Sequence, residues 1–138
     1  MGDRILKGGC LCGAVRYSVS GEPVDCGYCH CRICQRATGA PMVAWATFAA
    51  DCLTITAGEP RAYASSAHAL RHFCARCGTP ISFRSQHNPA HVDITIASLD
   101  DPSSLPPQYH IWTMSQIPWL QVDDRLPRHA DGGPDRLA

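Results

Sequence analysis

The chain has 138 residues, 45% of them hydrophobic, which suits one globular domain and leaves too little chain for two ordinary ones. Twelve Lys and Arg residues balance twelve Asp and Glu residues, so no net positive charge would attract nucleic acid or an anionic membrane. No apolar stretch reaches the roughly 20 residues of a membrane-spanning helix, and the first residues lack the apolar core of a secretory signal. We therefore expect a soluble cytoplasmic protein with neither a nucleic-acid nor a membrane partner.

Hydrophobic and polar residues alternate along much of the chain, the period-two pattern of half-buried strands. AVRYSV (14–19) would place Val15, Tyr17 and Val19 on one face, and HVDITI (91–96) would do the same with its Val and two Ile residues. Further β-rich runs, separated by turn formers such as SGEP, AGEP and HNP, are MVAWATF (42–48), LTIT (53–56), ALRHFC (69–74) and PISFR (80–84). The pattern predicts a mainly β fold, a small β-sheet domain with short irregular connections.

Only one segment favours a helix. Residues 31–39 predict about two turns that end at Gly39, as helices often do. The Pro-containing segment 99–108 predicts a loop with at most one helical turn. We interpret residues 1–129 as a single domain and residues 130–138 as a disordered C-terminal tail.

Nine cysteines carry most of the chemistry in this sequence, and they group by spacing. Cys10 and Cys12 form one pair and Cys74 and Cys77 another, each pair followed by a glycine that eases the turn. An odd count without a secretory signal favours metal binding over disulfides. The two pairs together predict a four-cysteine structural zinc site. Redox-active dithiols are the alternative, but no βαβ pattern surrounds either pair.

Four more cysteines lie in CGYCHCRIC, residues 26–34. If Cys26, Cys29, Cys31 and Cys34 all bind one zinc ion, that site is closed and structural. If only the last three bind, the metal keeps an open position, as catalytic sites do. The spacing leaves both alternatives open.

Five motifs in this order resemble the glutathione-dependent formaldehyde-activating enzyme (GFA) family, also called the centromere protein V family: GGCLCGAVRY, CHCRICQRATGAP, FCARCGTPISFRS, VDITIASLDDP and HIWTMSQIPW. The resemblance runs from about Lys7 to about Pro127. It implies a small zinc-stapled β-sheet domain that holds two Zn²⁺ ions per chain. The implied ligands are Cys10, Cys12, Cys74 and Cys77 for a structural zinc, and Cys29, Cys31 and Cys34 for a catalytic zinc with an open position. Cys26 lies outside the core motif, and we interpret it as a free thiol or an occasional fourth ligand near the second site.

The resemblance also implies a carbon-sulfur lyase. Its partners would be a small thiol such as glutathione and a small aldehyde such as formaldehyde. A thiol with a pKa of about 8.5 would be held at the open zinc position as a thiolate. That thiolate would add to the aldehyde carbon. Placing the aldehyde beside that thiolate would supply much of the acceleration. The alternative is a non-catalytic module in which two structural zinc sites support protein interactions.

Polar residues around the cysteine motifs allow two interpretations. Arg32, Arg36 and Arg76 could hold the carboxylates of a glutathione-like substrate, or they could balance the charge of the thiolates. His30 is expected to support the site from behind or to lie at the surface. His72 alternates with Phe73 in a predicted strand, so we expect it to be packed or exposed and not to bind metal.

Three further residues complete the candidates. Trp112 and Trp119 could wall an apolar pocket over the open zinc position, or they could pack in the core. Cys52 stands alone in the sequence, so the simplest expectation is a small buried side chain.

Overall fold

The chain forms ten β-strands and one α-helix within residues 4–134, the part that this computed structural model describes. The strands are Ile5–Gly9 (β1), Arg16–Ser20 (β2), Asp25–Cys29 (β3), Val43–Ala49 (β4), Leu53–Ala57 (β5), Arg61–Ser66 (β6), Ala69–Phe73 (β7), Pro80–Ser85 (β8), His91–Thr95 (β9) and His110–Ile111 (β10). The helix α1 is Arg32–Thr38, and short 3₁₀ turns lie at Ala50–Cys52, Ile96–Ser98, Pro102–Ser104 and Thr113–Ser115. The prediction of a mainly β fold is confirmed, as is that of one short helix ending at Gly39.

The strands make two sheets. The smaller has the order β1-β2-β5, and the larger has the order β10-β3-β4-β9-β8-β7-β6. Neighbouring strands run antiparallel except β10, which lies parallel to β3. Because β10 comes late in the chain, this pairing places the segment after residue 108 against the strand that leads into the second cysteine motif.

The main core lies between the two sheets. Val15, Tyr17 and Val19 are 2%, 1% and 0% exposed, which confirms the face that the period-two pattern predicted for this segment. They pack in one cluster with side chains of the large sheet, among them Phe48 and Ile94. Burial of this apolar area is the principal driving force that holds the small sheet on the large one.

A second, smaller cluster covers part of the opposite face of the large sheet. It joins the helix α1 to strands β3, β4 and β10. Its buried members are Cys29, Cys34, Val43, Trp45, Tyr109 and Ile111. The second cysteine motif is therefore built on a rigid apolar base.

The strands β1, β3, β6 and β10 were not predicted. The sequence of β3, DCGYC, contains no β-branched residue, and β6 is an exposed edge strand without the alternation that marks a half-buried one. Pairing with neighbours distant in sequence fixes these strands, and such pairing leaves no local signal.

The end of the described chain is bound to the domain. The amide of His129 donates to the carbonyl of His110 (2.9 Å), and the amide of Trp112 donates to the carbonyl of Asp131 (2.8 Å). Within the segment interpreted as a tail, the carbonyls of residues 130 and 131 accept backbone hydrogen bonds from residues 114 and 112, and residues 135–138 lie outside the described part. In the described part, no helix is long and apolar enough to cross a bilayer.

Candidate metal centres

Two turns bring the first cysteine group together. Cys10 and Cys12 lie between β1 and β2, and Cys74 and Cys77 lie between β7 and β8. The four Sγ atoms lie within 4.8 Å of one another, with 3.6 Å between Cys10 and Cys12 and 3.8 Å between Cys12 and Cys74. A tetrahedral zinc with Zn–S bonds of about 2.3 Å requires sulfur atoms about 3.8 Å apart. The donor set therefore fits a structural zinc ion.

Backbone amides point at these sulfur atoms. Val15 donates its amide hydrogen to Sγ of Cys10 (3.2 Å), and the amides of Arg76 and Cys77 both donate to Sγ of Cys74 (3.4 Å each). Hydrogen bonds from amides stabilise thiolates, the form that binds metal. Hydrogen bonds from the hydroxyl and amide of Thr79 likewise lower the pKa of Cys77 to about 5.

The second group is built by one short stretch of chain. Cys29 ends β3, Cys31 caps the N-terminus of α1, and Cys34 lies in the first turn of that helix. Their Sγ atoms lie within 4.8 Å of one another, and the Cys34 amide donates to Sγ of Cys31 (3.2 Å). The strand end and helix start therefore aim three thiols at one point.

The three thiols cannot ionise independently. Hydrogen bonds from the thiols of Cys29 and Cys34 lower the pKa of Cys31 to about 2, whereas the hydrogen bond to Cys31 and burial raise the pKa of Cys29. One thiolate in this cluster thus opposes the formation of the next. A divalent cation would remove that repulsion, which makes the cluster a suitable metal site.

Cys26 does not belong to this group. Successive side chains of a strand alternate between its two faces, so Cys26 and Cys29 of β3 point in opposite directions. Cys26 is 4% exposed and packs in the core between the sheets, where burial raises the pKa of its thiol to about 11. Of the two alternatives for residues 26–34, the described residues present the three-cysteine arrangement.

This location predicts the reactivity of Cys26. We expect iodoacetamide to leave Cys26 unmodified in the folded protein at mildly alkaline pH, because the thiol is buried and protonated. Cys52, which is half-buried at the surface beside Asp51, should be alkylated under the same conditions. Peptide mapping by mass spectrometry measures the alkylated fraction of each thiol. Equal labelling of Cys26 and Cys52 would contradict the placement of Cys26.

A cavity of about 340 Å³ opens beside the three-cysteine cluster. Its larger apolar walls include the side chains of Trp45, Phe83, Ile111 and Trp112. A second cavity of about 420 Å³ adjoins it and shares four lining residues, Ile33, Trp45, Ser65 and Arg71. The cluster thus faces a space that admits a small substrate, whereas its other side is closed by the protein.

Trp112 is held in this wall by an unusual backbone. Its φ of 57° lies in the left-handed region, which a bulky residue rarely adopts. Hydrogen bonds from the amides of Trp112 and Thr113 to Asp131 and His129 hold that conformation. Strain of this kind concentrates at functional sites, because the surrounding structure must maintain it.

Arg71 is a site residue that the sequence analysis missed. From β7, its Nη2 donates to Sγ of Cys34 (3.4 Å), and its Nε donates to Oγ of Ser65 (3.1 Å). The guanidinium carbon lies 5.0 Å from the ring centre of Phe83 and 6.0 Å from that of Trp45. Arg71 lies far in sequence from the cysteine motif, and only the arrangement of β7 opposite α1 brings it there.

A buried chain of hydrogen bonds lies behind the cluster. His30 Nε2 is 2.8 Å from His110 Nδ1, and His110 Nε2 is 2.7 Å from Asp124 Oδ2. The Asp124 carboxylate accepts from His110 Nε2–H, and in the neutral form of His110 its Nδ1 accepts from His30 Nε2–H. Burial lowers the pKa of His30 to about 4, so His30 is neutral at neutral pH. Both imidazoles are fully buried, which excludes the surface alternative for His30 and ties the Cys29–Cys31 turn to the C-terminal segment.

The other candidates fall into two groups. Arg32 lines the cavity beside the three-cysteine cluster, Arg36 and His72 line the adjoining cavity, and Trp119 is 71% exposed and lines neither of these two. Arg76 lies in the turn of the four-cysteine group, away from both cavities. Arg32 and Arg36 are thus the two predicted arginines that a substrate in these cavities would meet.

Comparison with known proteins gives consistent results. The family model described as glutathione-dependent formaldehyde-activating enzyme matches residues 5–115. A Halomonas elongata protein named "Putative glutathione-dependent formaldehyde-activating enzyme" is 28% identical over 130 residues, covering 88% of this chain and 83% of that protein. An "uncharacterized lyase" of Schizosaccharomyces pombe is 31% identical over 77 residues, 56% of each chain. A crystal structure of a Rhodobacter sphaeroides protein superposes with a TM-score of 0.57 at 28% identity, covering 72% of this chain and 94% of that one.

Proposed function

The chain belongs to the glutathione-dependent formaldehyde-activating enzyme family, and from that membership we propose that it is a zinc-dependent carbon-sulfur lyase. Its reaction would form and cleave thiol-aldehyde adducts of the S-hydroxymethylglutathione type. A small thiol such as glutathione and formaldehyde or a similar aldehyde are the proposed substrates. Nine cysteines without a disulfide among them suit a reducing compartment, so we keep the cytoplasm as the proposed location.

The observation that carries this proposal is the three-cysteine cluster with a cavity on one side. Cys29, Cys31 and Cys34 would supply three thiolates to a bound zinc ion, and Cys26 points to the opposite face of the sheet. A closed zinc site has four protein ligands, whereas a catalytic one has three and an open position. The cluster therefore suits catalysis, and the four-cysteine cluster suits a structural role.

The chemistry that zinc supplies in such a site is ionisation of a bound thiol near neutral pH. The chain's own residues would do the rest. Cys29, Cys31 and Cys34 would hold the ion through their sulfur atoms, and all three line the cavity that would admit the substrate. Trp45, Phe83 and Trp112, which line that space, would exclude water from it and keep the aldehyde close to the sulfur.

The reaction balances without a further reagent. The substrate sulfur forms a bond to the aldehyde carbon, and the electron pair of the C=O bond moves to oxygen. The proton lost by the thiol ends on that oxygen, which gives a hydroxymethyl group. The reverse reaction breaks the carbon-sulfur bond, as a lyase does.

Exchange spectroscopy tests the proposal. We expect zinc-loaded protein to accelerate the exchange of ¹³C-formaldehyde between its free form and its glutathione adduct, measured by exchange NMR at equilibrium. Removal of zinc by a chelator should abolish the acceleration, and added zinc should restore it. No acceleration with glutathione, cysteine or 2-mercaptoethanol would contradict the proposal and favour the non-catalytic module with two structural zinc sites.

A further inference from the structure

Arg71 is fixed against the three-cysteine cluster from the opposite wall of the cavity. Its guanidinium donates to the Cys34 sulfur and to the Ser65 hydroxyl, and it lies over the Phe83 and Trp45 rings. These contacts leave the group little freedom. This position suits a planar, delocalised cation that stacks on aromatic rings and donates hydrogen bonds from its edge. A guanidinium has these properties and a lysine ammonium does not.

The net negative charge of the zinc-loaded three-cysteine site would favour a cation beside it. Three cysteine thiolates and one Zn²⁺ ion sum to a single negative charge, and a substrate thiolate would bring the sum to two. Between apolar walls, where the effective dielectric constant is low, such a sum is strongly unfavourable. A neutral ligand in the open position would add no charge and would be favoured instead.

The other charged side chains of this cavity are engaged elsewhere. Arg32 donates to Oε1 of Gln35 (2.8 Å), and Asp93 accepts from Oγ1 of Thr47 (2.5 Å). Among the described residues, Arg71 is the arginine whose side chain contacts a cysteine sulfur of this cluster. Its charge therefore acts on the ligand position more directly than that of any other cation lining the cavity.

We propose that Arg71 is a specificity-determining residue that makes the three-cysteine site select an anionic, sulfur-bound substrate over neutral ligands. This inference rests on the proposed function, since it concerns the same open position. The guanidinium offsets the second negative charge that a thiolate substrate brings, so the site binds the thiolate without needing a carboxylate elsewhere in the substrate.

The test uses full-length protein in which Co²⁺ replaces zinc, because the absorption of Co²⁺ reports thiolate ligation directly. Three probes separate the possibilities: 2-mercaptoethanol, a thiol without a carboxylate; 3-mercaptopropionate, a thiol with one; and imidazole, a neutral ligand. The variants are Arg71→Met, Arg71→Lys and, as a matched control, Arg61→Met on the neighbouring strand β6, where the side chain is exposed. Two Co²⁺ ions per chain in each variant show that both sites and the fold are intact.

Arg71→Met should bind 2-mercaptoethanol about 10- to 100-fold more weakly than the wild type, the order expected when one opposite charge is removed from the neighbourhood of a partly buried anion. Imidazole affinity should stay at the wild-type value, and Arg71→Lys should recover part of the thiol affinity. Arg61→Met should match the wild type with all three probes. If Arg71→Met proves unstable, the same contrast between thiol and imidazole is measured on Arg71→Lys.

Three outcomes would overturn the inference. A loss confined to 3-mercaptopropionate would make Arg71 an anchor for the substrate carboxylate, and an equal loss for thiol and imidazole would make it a support for the cavity's shape. Unchanged thiol affinity would remove any role in ligand choice. If the wild-type protein itself binds no thiol, the proposed function fails, and that result differs from all three.

Discussion

Cys74→Ala is expected to leave the chain largely unfolded at room temperature. Cys74 is 1% exposed, its sulfur lies 3.8 Å from that of Cys12, and two backbone amides donate to it. Zinc ligation contributes about 10 to 16 kcal/mol in small zinc-binding peptides, whereas whole domains are stable by about 5 to 15 kcal/mol. Loss of one ligand from a site that joins two distant turns should therefore remove most of the stability. Circular dichroism during heating and the zinc content of purified protein measure the effect.

Cys52→Ala is the control for this variant. This variant also removes a single thiol, but Cys52 is half-buried and belongs to neither cysteine group among the described residues. We expect its melting curve and zinc content to match the wild type. If Cys74→Ala has the same melting temperature as the wild type and still holds two zinc ions, the structural role of the four-cysteine cluster is refuted.

Cys29→Ala is expected to abolish turnover while leaving the protein folded. The change removes one of three thiolates, so the second zinc should be lost and the four-cysteine site should keep its own. Metal catalysis supplies several kcal/mol, and each 1.36 kcal/mol is tenfold in rate, so we expect a loss of at least about 1,000-fold. Exchange NMR gives the rate, and elemental analysis should find one zinc ion per chain in place of two.

Cys26→Ala is a closely matched control, since it makes the same change three residues earlier in β3. Its side chain faces the core between the sheets and not the cavity. We expect a modest loss of stability from the smaller buried side chain, with full zinc content and normal turnover. Activity that survives in Cys29→Ala but not in Cys26→Ala would reverse the assignment of the two thiols.

The sequence alone predicts the fold class and the two cysteine groups because both depend on local signals. Alternation within β2 and β9 marks their buried faces, and the spacing of Cys29, Cys31 and Cys34 is satisfied within a strand end and one helical turn. The role of Cys26 stayed open in the sequence because β3 was not predicted. Once residues 25–29 form a strand, the alternation of its faces places Cys26 and Cys29 apart.

Local sequence patterns do not predict the contacts of Arg71, His110 and Asp124. Arg71 contacts Cys34 across 37 positions of sequence, and the buried chain joins His30 to His110 across 80. These contacts depend on which strands pair and in which register. Neither the spacing of charged residues nor their type indicates that pairing.

The separation of the two cysteine pairs has a consequence for how the protein is made. Cys12 and Cys74 are 62 positions apart, so at about 5 to 20 residues per second a ribosome needs about 3 to 12 seconds to supply the second pair. Cys29, Cys31 and Cys34 emerge together well within that interval and are the first complete ligand set. We therefore expect the nascent chain to acquire metal at the three-cysteine site first, before Cys74 and Cys77 are available to complete the site of Cys10 and Cys12. A cell short of zinc during translation would accumulate chains in which core burial alone, without the four-cysteine site, holds the small sheet on the large one.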